Sequence, residues 1–500
     1  MDSTTFSDKA SGPFVLSLDV GTSSVRTLLF DGCARQIPAV EHKMEYKFST
    51  TSDGGVEFNA DQLLRLTIDC LSSTHRQLET AGIRPDAVAF SAFWHSFLGV
   101  DHDGDPTTPL VHLFDTRSAE AAEALKLRID PEANHRRTGC VLHPSYWPAK
   151  LLWLSQAMSD AFGRTKTWLS FGEYLYLKLF GSPSTSSSMA SGSGLWNQNQ
   201  NRYDAEILSV LPITPEQLAR EDGIDEERKF LLPELASRWP RLNGIPWYPA
   251  LGDGACNNVG SGCTTPDRFA LMVGTSGAMR AVVEMDQIDI PLGVWCYRVD
   301  KKRFVLGGAL SNGGEVFAWM KRNLQLPASR ELEQRLQSAE PGSHGLTVLP
   351  LFAGERSPKW RADARAAITG MSLHTAPVDI LQAALESVAL RFREIYDLMV
   401  PRIGKPQEVI ASGGALLNSP AWTQMMADAL GRPVRPCLEP EASGRGAALL
   451  TLERLGAIAH IDQLPADIDV PRVPREQNGS IYNGLLAGQR KLYRKLLEEN

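Results

Sequence analysis

A carboxylate, a glycine and three hydroxyls stand together near the start of the chain, in Asp19-Val20-Gly21-Thr22-Ser23-Ser24. The apolar run Phe14-Val15-Leu16-Ser17-Leu18 precedes them and Val25-Arg26-Thr27-Leu28-Leu29-Phe30 follows, so the polar residues fall at the tip of a strand-turn-strand unit. Gly21 lets a ligand approach the backbone closely, and the hydroxyls and amides of Thr22, Ser23 and Ser24 can converge on anionic oxygens. Asp19, a carboxylate ending a buried strand, is unusual unless it serves a metal ion or a proton. A turn rich in Gly, Ser and Thr is also a common plain connection, so both readings stand on these residues alone.

The chain repeats the device. Gly274-Thr275-Ser276-Gly277 lies between Ala270-Leu271-Met272-Val273 and Met279-Arg280-Ala281-Val282-Val283. Two such hairpins, one per domain, suit gripping a single phosphate chain across a cleft. A third glycine site follows the strand Glu408-Val409-Ile410-Ala411-Ser412. There Gly413-Gly414-Ala415 turns the chain, Asn418 or Ser419 caps a helix, Pro420 takes its first position and Gly431 closes it. Open backbone beside a helix N-terminus favours a nucleotide; packing alone is an equally good reason for those glycines.

Positioning these turns takes an α/β chain, and strand-like and helix-like segments alternate throughout. Residues 60–80 show helical spacing, 87–91 read as a buried strand, Ser118 is placed to cap a helix over 119–128, and Pro148 fits the first turn of another over 147–159. Residues 181–194, full of Ser and Gly, read as loop. The segment 239–249, dense in Pro and Trp, marks a domain boundary. Five hundred residues exceed one compact core, so two domains are expected, 12–245 and 246–500.

Composition excludes several classes. With 43% apolar and 22% charged residues the chain is an ordinary globular protein, and a net charge of −7 argues against a broad nucleic-acid surface. The seven cysteines have neither zinc-finger nor redox spacing, which suits reduced thiols in a cytoplasm. Met1 to Ser11 is polar with no apolar signal core, and no apolar run approaches the roughly 20 residues that span a bilayer, so no membrane partner is expected. Classical phosphate-loop, dinucleotide and protein-kinase signatures are missing.

Taken in order, the motifs resemble the FGGY family of carbohydrate kinases. The likeness covers about residues 15–450: the loop 19–26, Gly252-Asp253-Gly254, Gly274-Thr275-Ser276-Gly277, Gly413-Gly414-Ala415 with Asn418, and the stretch from Thr369-Gly370-Met371 to Ala384-Leu385-Glu386. Within the family it is similar to FGGY-type gluconokinases, through Thr138-Gly139-Cys140 with His143-Pro144 and Tyr146, Lys150-Leu151-Leu152-Trp153, Gly307-Gly308-Ala309 with Asn312-Gly313-Gly314, and Gly354-Glu355-Arg356-Ser357-Pro358. Trp94 departs from a pattern that commonly has Met there, and Arg26 from one with Lys.

The resemblance implies two actin-like (ribonuclease H-like) α/β domains with a catalytic cleft between them, the first carrying the sugar side and first phosphate loop, the second the adenosine side. Domain closure would exclude water during transfer. ATP and Mg²⁺ are the implied cofactors. Asp253 would be the base that accepts a sugar hydroxyl's proton, against the alternative of a Gly-Asp-Gly turn held by local hydrogen bonds. Gly21, Thr22, Ser23, Ser24, Gly274 and Thr275 would hold phosphates, Asp19 would anchor magnesium through water, and Gly313, Gly314, Gly413, Gly414 and Asn418 would meet the adenosine. Arg26, Trp94, His95, Asp115, Arg117 and Asp253 are the expected substrate contacts. Asp115 and Arg117, two apart, project together from an extended segment; a surface ion pair is the alternative. The expected partner is a small sugar or sugar acid, gluconate first, with xylulose, ribulose or another polyol as alternatives. An aldonate would give Arg26, Arg117 or Arg356 a purpose. A homodimer is compatible with the family, and a non-catalytic ATP-binding sensor is the remote alternative.

Overall fold

The computed structural model describes residues 10–220 and 225–499; residues 1–9 of the polar N-terminal stretch lie outside them. The expected hairpin forms first, as β1 (Val15–Val20) and β2 (Ser24–Phe30), and β3 (Gln36–Glu45) extends it antiparallel. Helix α1 (Ala60–Ala81) then crosses over to β4 (Ala87–Ala92), which lies parallel to β1. The Asn59 side chain accepts from the Gln62 amide at its start and Gly82, at φ +68, ends it in the left-handed conformation. Leu63, Thr67, Cys70, Leu71, Thr74 and Leu78 make its buried stripe.

Helices Ala119–Lys126 and Trp147–Ala157 stand where the proline and helix-forming residues predict them. Ser118, however, makes no capping bond. The Ser- and Gly-rich segment is not a loose loop: it contains α2 (Ser187–Ser191), buried at every position. Its serines are all partnered, Ser191 donating to the Ser188 carbonyl at 2.7 Å, Ser187 donating to Asp225 at 2.9 Å and Ser188 accepting from the Gly252 amide at 3.0 Å, so they enter a core without orphaned hydroxyls. Past residue 246 the chain is still building the first lobe. Trp239 and Trp247 are buried in its core, and β5 (Leu251–Gly252) pairs parallel with β4, giving the order β5-β4-β1-β2-β3. Helix α3 (Asp253–Gly260) follows directly.

The second lobe repeats the plan. Strands β6 (Arg268–Val273) and β7 (Gly277–Glu284) form a hairpin, β8 (Trp295–Arg298) and β9 (Arg303–Leu310) extend it antiparallel, and the sheet is completed after α4 (Gly314–Asn323) and the long α5 (Pro377–Ile403). β10 (Glu408–Ser412) lies parallel to β6, and the short α6 (Gly414–Leu417) and α7 (Pro420–Leu430) precede β11 (Val434–Pro436), so the order is β8-β9-β7-β6-β10-β11. The Ser419 hydroxyl caps α7 by accepting from the Trp422 amide at 3.2 Å.

Helix α8 (Ala442–Arg454) then returns to the first lobe, where Ala447, Leu449, Leu450 and Leu452 complete the core under β1 and β4. It crosses α3 backbone to backbone. A Cβ on Gly260 would lie 1.8 Å from the Ala442 carbonyl oxygen, and one on Gly446 would lie 1.8 Å from that of Cys256. The C-terminal helix α9 (Asn478–Leu497) packs on the second lobe. Among the described residues no helix is long and apolar enough to cross a membrane, and all seven cysteines are free.

Candidate active site

A cavity of about 270 Å³ opens between the lobes, with Thr22 from the first hairpin and Ser276 from the second on its wall. Asp253 lies on the same wall, at the first turn of α3, its Oδ1 accepting from the Gly254 amide at 2.7 Å. Burial raises its pKa, and Arg280 opposes the shift. Asp19 ends β1 nearby at 7% exposure with Oδ1 unpartnered. Burial pushes its carboxyl up to about 6; the Ser91 hydroxyl opposes that, the charge of Asp253 adds to it, and Arg26 opposes it. Among the described residues no group of three or more His, Cys, Asp or Glu converges as a metal cage. A single buried carboxylate oxygen without a partner nonetheless fits Mg²⁺, which keeps most of its waters and binds through one or two carboxylates plus phosphate oxygens.

The two hairpin tips are held differently. In the first, the Gly21 amide donates to the Ser24 carbonyl at 3.0 Å, the Tyr46 hydroxyl donates to the Gly21 carbonyl, and the Tyr46 amide donates to Ser23. Arg26 braces it from behind, giving Nε to the Ser24 hydroxyl at 3.1 Å and Nη1 to Glu441 at 2.5 Å. In the second, the amides of Gly313 and Gly314 donate to the carbonyls of Thr275 and Gly274 at 3.2 and 2.7 Å. The Gly313 and Gly314 amides are therefore spent on suturing the second tip. Gly413, at φ +90, packs so that a Cβ would sit 2.5 Å from the Val273 carbonyl oxygen. Gly414 and Asn418 face open space beside it.

Trp94 and His95 are on the cavity wall as expected. The unusual indole has a made-to-measure seat: Cβ atoms on Gly192, Gly252 and Gly254 would approach it to 2.6, 1.8 and 2.7 Å, and its Nε1 donates to the Ser188 carbonyl at 2.9 Å. The Ser- and Gly-rich segment around α2 thus seats one wall of the cavity. His95 holds a left-handed φ of +69, a strained state that concentrates at functional sites. Its Nδ1 lies 2.6 Å from the Gly192 carbonyl, which requires a proton there, and burial lowers its pKa to about 3. The ring is neutral, with Nε2 an acceptor.

Asp115 and Arg117 do not line the cavity. They are joined through Nη2 to Oδ2 at 2.6 Å, Arg117 also binds Glu57 at 2.7 Å and lies over the Trp153 ring, and the Val56 amide donates to Asp115. Each has its charge satisfied within the fold, and Arg26 likewise faces Glu441 rather than the cavity. The cavity's cations are Arg280 and Arg356. Arg280 has Nε and Nη1 buried without partners; Arg356 donates Nη2 to the Leu310 carbonyl at 2.9 Å and leaves Nε unpartnered. Burial lowers the pKa of both, and for Arg356 the charge of Arg280 adds to the effect, opposed by Tyr146 and Tyr297. The sequence carried one signal for Arg280, a lone charge in an apolar strand.

A two-lobed kinase cleft is what this arrangement describes, and the chain belongs to the FGGY family of carbohydrate kinases: residues 14–260 match its N-terminal domain and 269–453 its C-terminal domain. Members are phosphotransferases that use ATP to phosphorylate sugar hydroxyls. The gluconokinase of Bacillus subtilis (strain 168) is 27% identical over 463 residues, covering 90% of this chain and 89% of its own. The crystal structure of gluconate kinase from Lactobacillus acidophilus superposes with a TM-score of 0.89 at 25% identity, over 97% of this chain and 98% of that one. Xylulose kinase from the same organism gives 0.90 at 25%, over 97% and 99%.

Proposed function

We propose that the protein transfers the terminal phosphoryl group of ATP to a hydroxyl of a sugar acid, D-gluconate to 6-phospho-D-gluconate. The observation that carries the substrate class is the pair Arg280 and Arg356, half-buried on the same cavity wall as Asp253, with guanidinium N–H groups that are buried and unpartnered. A carboxylate satisfies such donors with charge-assisted bonds; a neutral polyol leaves Arg280 with the charge of Asp253 alone and Arg356 with no carboxylate beside it among the described residues. The similarity to gluconokinases agrees with this assignment.

In this reading Asp253 takes the acceptor hydroxyl's proton as its oxygen bonds to phosphorus and ADP leaves. The neutral His95 accepts a substrate hydroxyl, and Trp94 packs against the carbon chain. Residues 21–24 and 274–277 hold the phosphates, while Gly413, Gly414 and Asn418 border the adenosine. Asp19, with its unpartnered Oδ1, would hold Mg²⁺, which when bound would neutralise phosphate charge.

The test is a coupled ADP-release assay over gluconate, xylulose, ribulose and glycerol, for wild type and Arg280→Met. Gluconate should be turned over best, and the variant should raise KM for gluconate about 10-fold or more, the scale of a lost charged hydrogen bond. Robust turnover of a ketose with none of gluconate would overturn the assignment.

A further inference from the structure

Arg356 and Trp360 reach the cavity from one segment, and that segment is held from the far side of the second lobe. The Asn312 side chain bonds both Gly354 and Ala353, at 2.8 Å each, just before the Gly313-Gly314 suture. Ser357 and Ala309 bond each other through backbone and hydroxyl. Arg356 itself donates to the Leu310 carbonyl at 2.9 Å, Arg361 bonds the Leu497 carbonyl, and beside them stands Glu355 at 4% exposure. Its Oε1 takes a bond from Arg391 of α5, and its Oε2 takes one from the Tyr493 hydroxyl of α9 at 2.6 Å. Arg391 and Tyr493 are themselves buried, and Arg391 is fixed a second time by Glu394, which also receives Arg490 of α9. Two further bonds tie the segment together: Glu355 to Arg361 at 2.9 Å and Trp360 to Arg356 at 2.6 Å, through backbone.

We propose that Glu355, clamped by Arg391 and Tyr493, is a positioning residue that sets the Arg356 guanidinium in the cavity, so the C-terminal helix governs affinity for an anionic acceptor. This rests on the assignment of a sugar-acid substrate. A buried carboxylate with two charged or polar donors has one satisfied orientation, and moving it moves the adjacent residue. Residue 356 is that neighbour. Shifting a guanidinium by a fraction of an ångström weakens a paired carboxylate contact while leaving the phosphate hairpins and Asp253 untouched.

Tyr493→Phe removes only the hydroxyl, and a melting temperature establishes that the variant folds. KM for gluconate should rise roughly three- to ten-fold, less than a lost bond to the substrate itself because the effect reaches the substrate only through Arg356, with kcat, KM for ATP and KM for a neutral acceptor unchanged. Arg356→Met is measured beside it, together with the double variant. If Tyr493 acts through Arg356, Tyr493→Phe adds nothing in the Arg356→Met background. An Arg356→Met enzyme with wild-type KM for gluconate removes the sugar-acid reading and this inference with it. Arg356→Met raising KM while Tyr493→Phe does not overturns the inference alone, as does a Tyr493→Phe effect spread equally over gluconate, neutral acceptor and ATP.

Discussion

The two glycine hairpins share a motif and a place in their sheets, yet their glycines answer to different neighbours. A Cβ on Gly21 would meet nothing closer than the Ser24 carbonyl at 3.7 Å, and one on Gly274 nothing closer than the Met272 sulfur at 3.8 Å. The protein leaves that space open. Around the second tip the opposite holds: Cβ atoms on Gly277, Gly313 and Gly314 would come within 2.6, 2.5 and 2.4 Å of Phe392, Ser276 and Gly274 atoms. Glycine at the tips is therefore not required by packing, whereas glycine beneath the second tip is. The first tip is braced instead by side chains, Tyr46 and the pair of Arg26 with Glu441. One family signature thus mixes glycines with open space beside them and glycines that hold the loop, and the Cβ distances separate them.

The division of labour breaks most visibly at Asp253, the proposed base. Asp253→Asn leaves both hairpins intact, so kcat should fall about 10²- to 10⁴-fold with ATP affinity unchanged; a matching loss of nucleotide binding by calorimetry would show that base and hairpins are not separable. Next come the glycines. Gly314→Ala should cost roughly 1–3 kcal/mol of stability through overpacking, read as a fall in melting temperature, and Gly21→Ala should keep its melting temperature while KM for ATP rises. Equal melting losses in both variants would erase the distinction between the hairpins.

The pH response follows from the carboxylate at the first hairpin. Asp19 titrates in the folded state at about 6 against an ordinary 3.8, so free-enzyme kcat/KM should decline as pH drops below about 6. Stability moves the other way. A raised folded pKa means that the contribution of Asp19 is fully present below 3.8 and is lost as pH rises through about 6. Asp19→Asn should therefore melt higher than wild type at pH 8 while losing activity. A lower melting temperature there would contradict the assignment of burial as the cause. The smallest effect is expected at Tyr46→Phe: loss of one bond to the Gly21 carbonyl, about 1 kcal/mol, seen as a several-fold rise in KM for ATP.

Much of this was legible in the sequence because hairpins, capping residues and glycine turns are local. The spacing of β1 and β2, the crossover α1 and the Ser419 cap needed no distant partner. Partners were what spacing did not supply. Asp115 and Arg117 project together as read, but Glu57 and Trp153 close around them and turn them away from the cavity. Arg280 hides in an apolar strand that reads as core, and only the fold reveals that its side chain lines the cleft. The Ser- and Gly-rich segment looked loose because its composition is that of loops; its burial depends on serines bonding carbonyls a turn away and on Trp94 filling the space its glycines vacate.

The return of α8 to the first lobe has a consequence for how the enzyme is made. A ribosome delivers β1 to β4 long before it delivers the helix that covers them, so this lobe does not mature as a unit ahead of the second, as N-terminal domains commonly do. Its core lacks Ala447, Leu449, Leu450 and Leu452 until nearly the whole chain has emerged. Until then α3, which carries Asp253, has no partner for its glycine crossing. A chain cut short before α8 holds both hairpin sequences yet lacks the packing under the helix that carries Asp253.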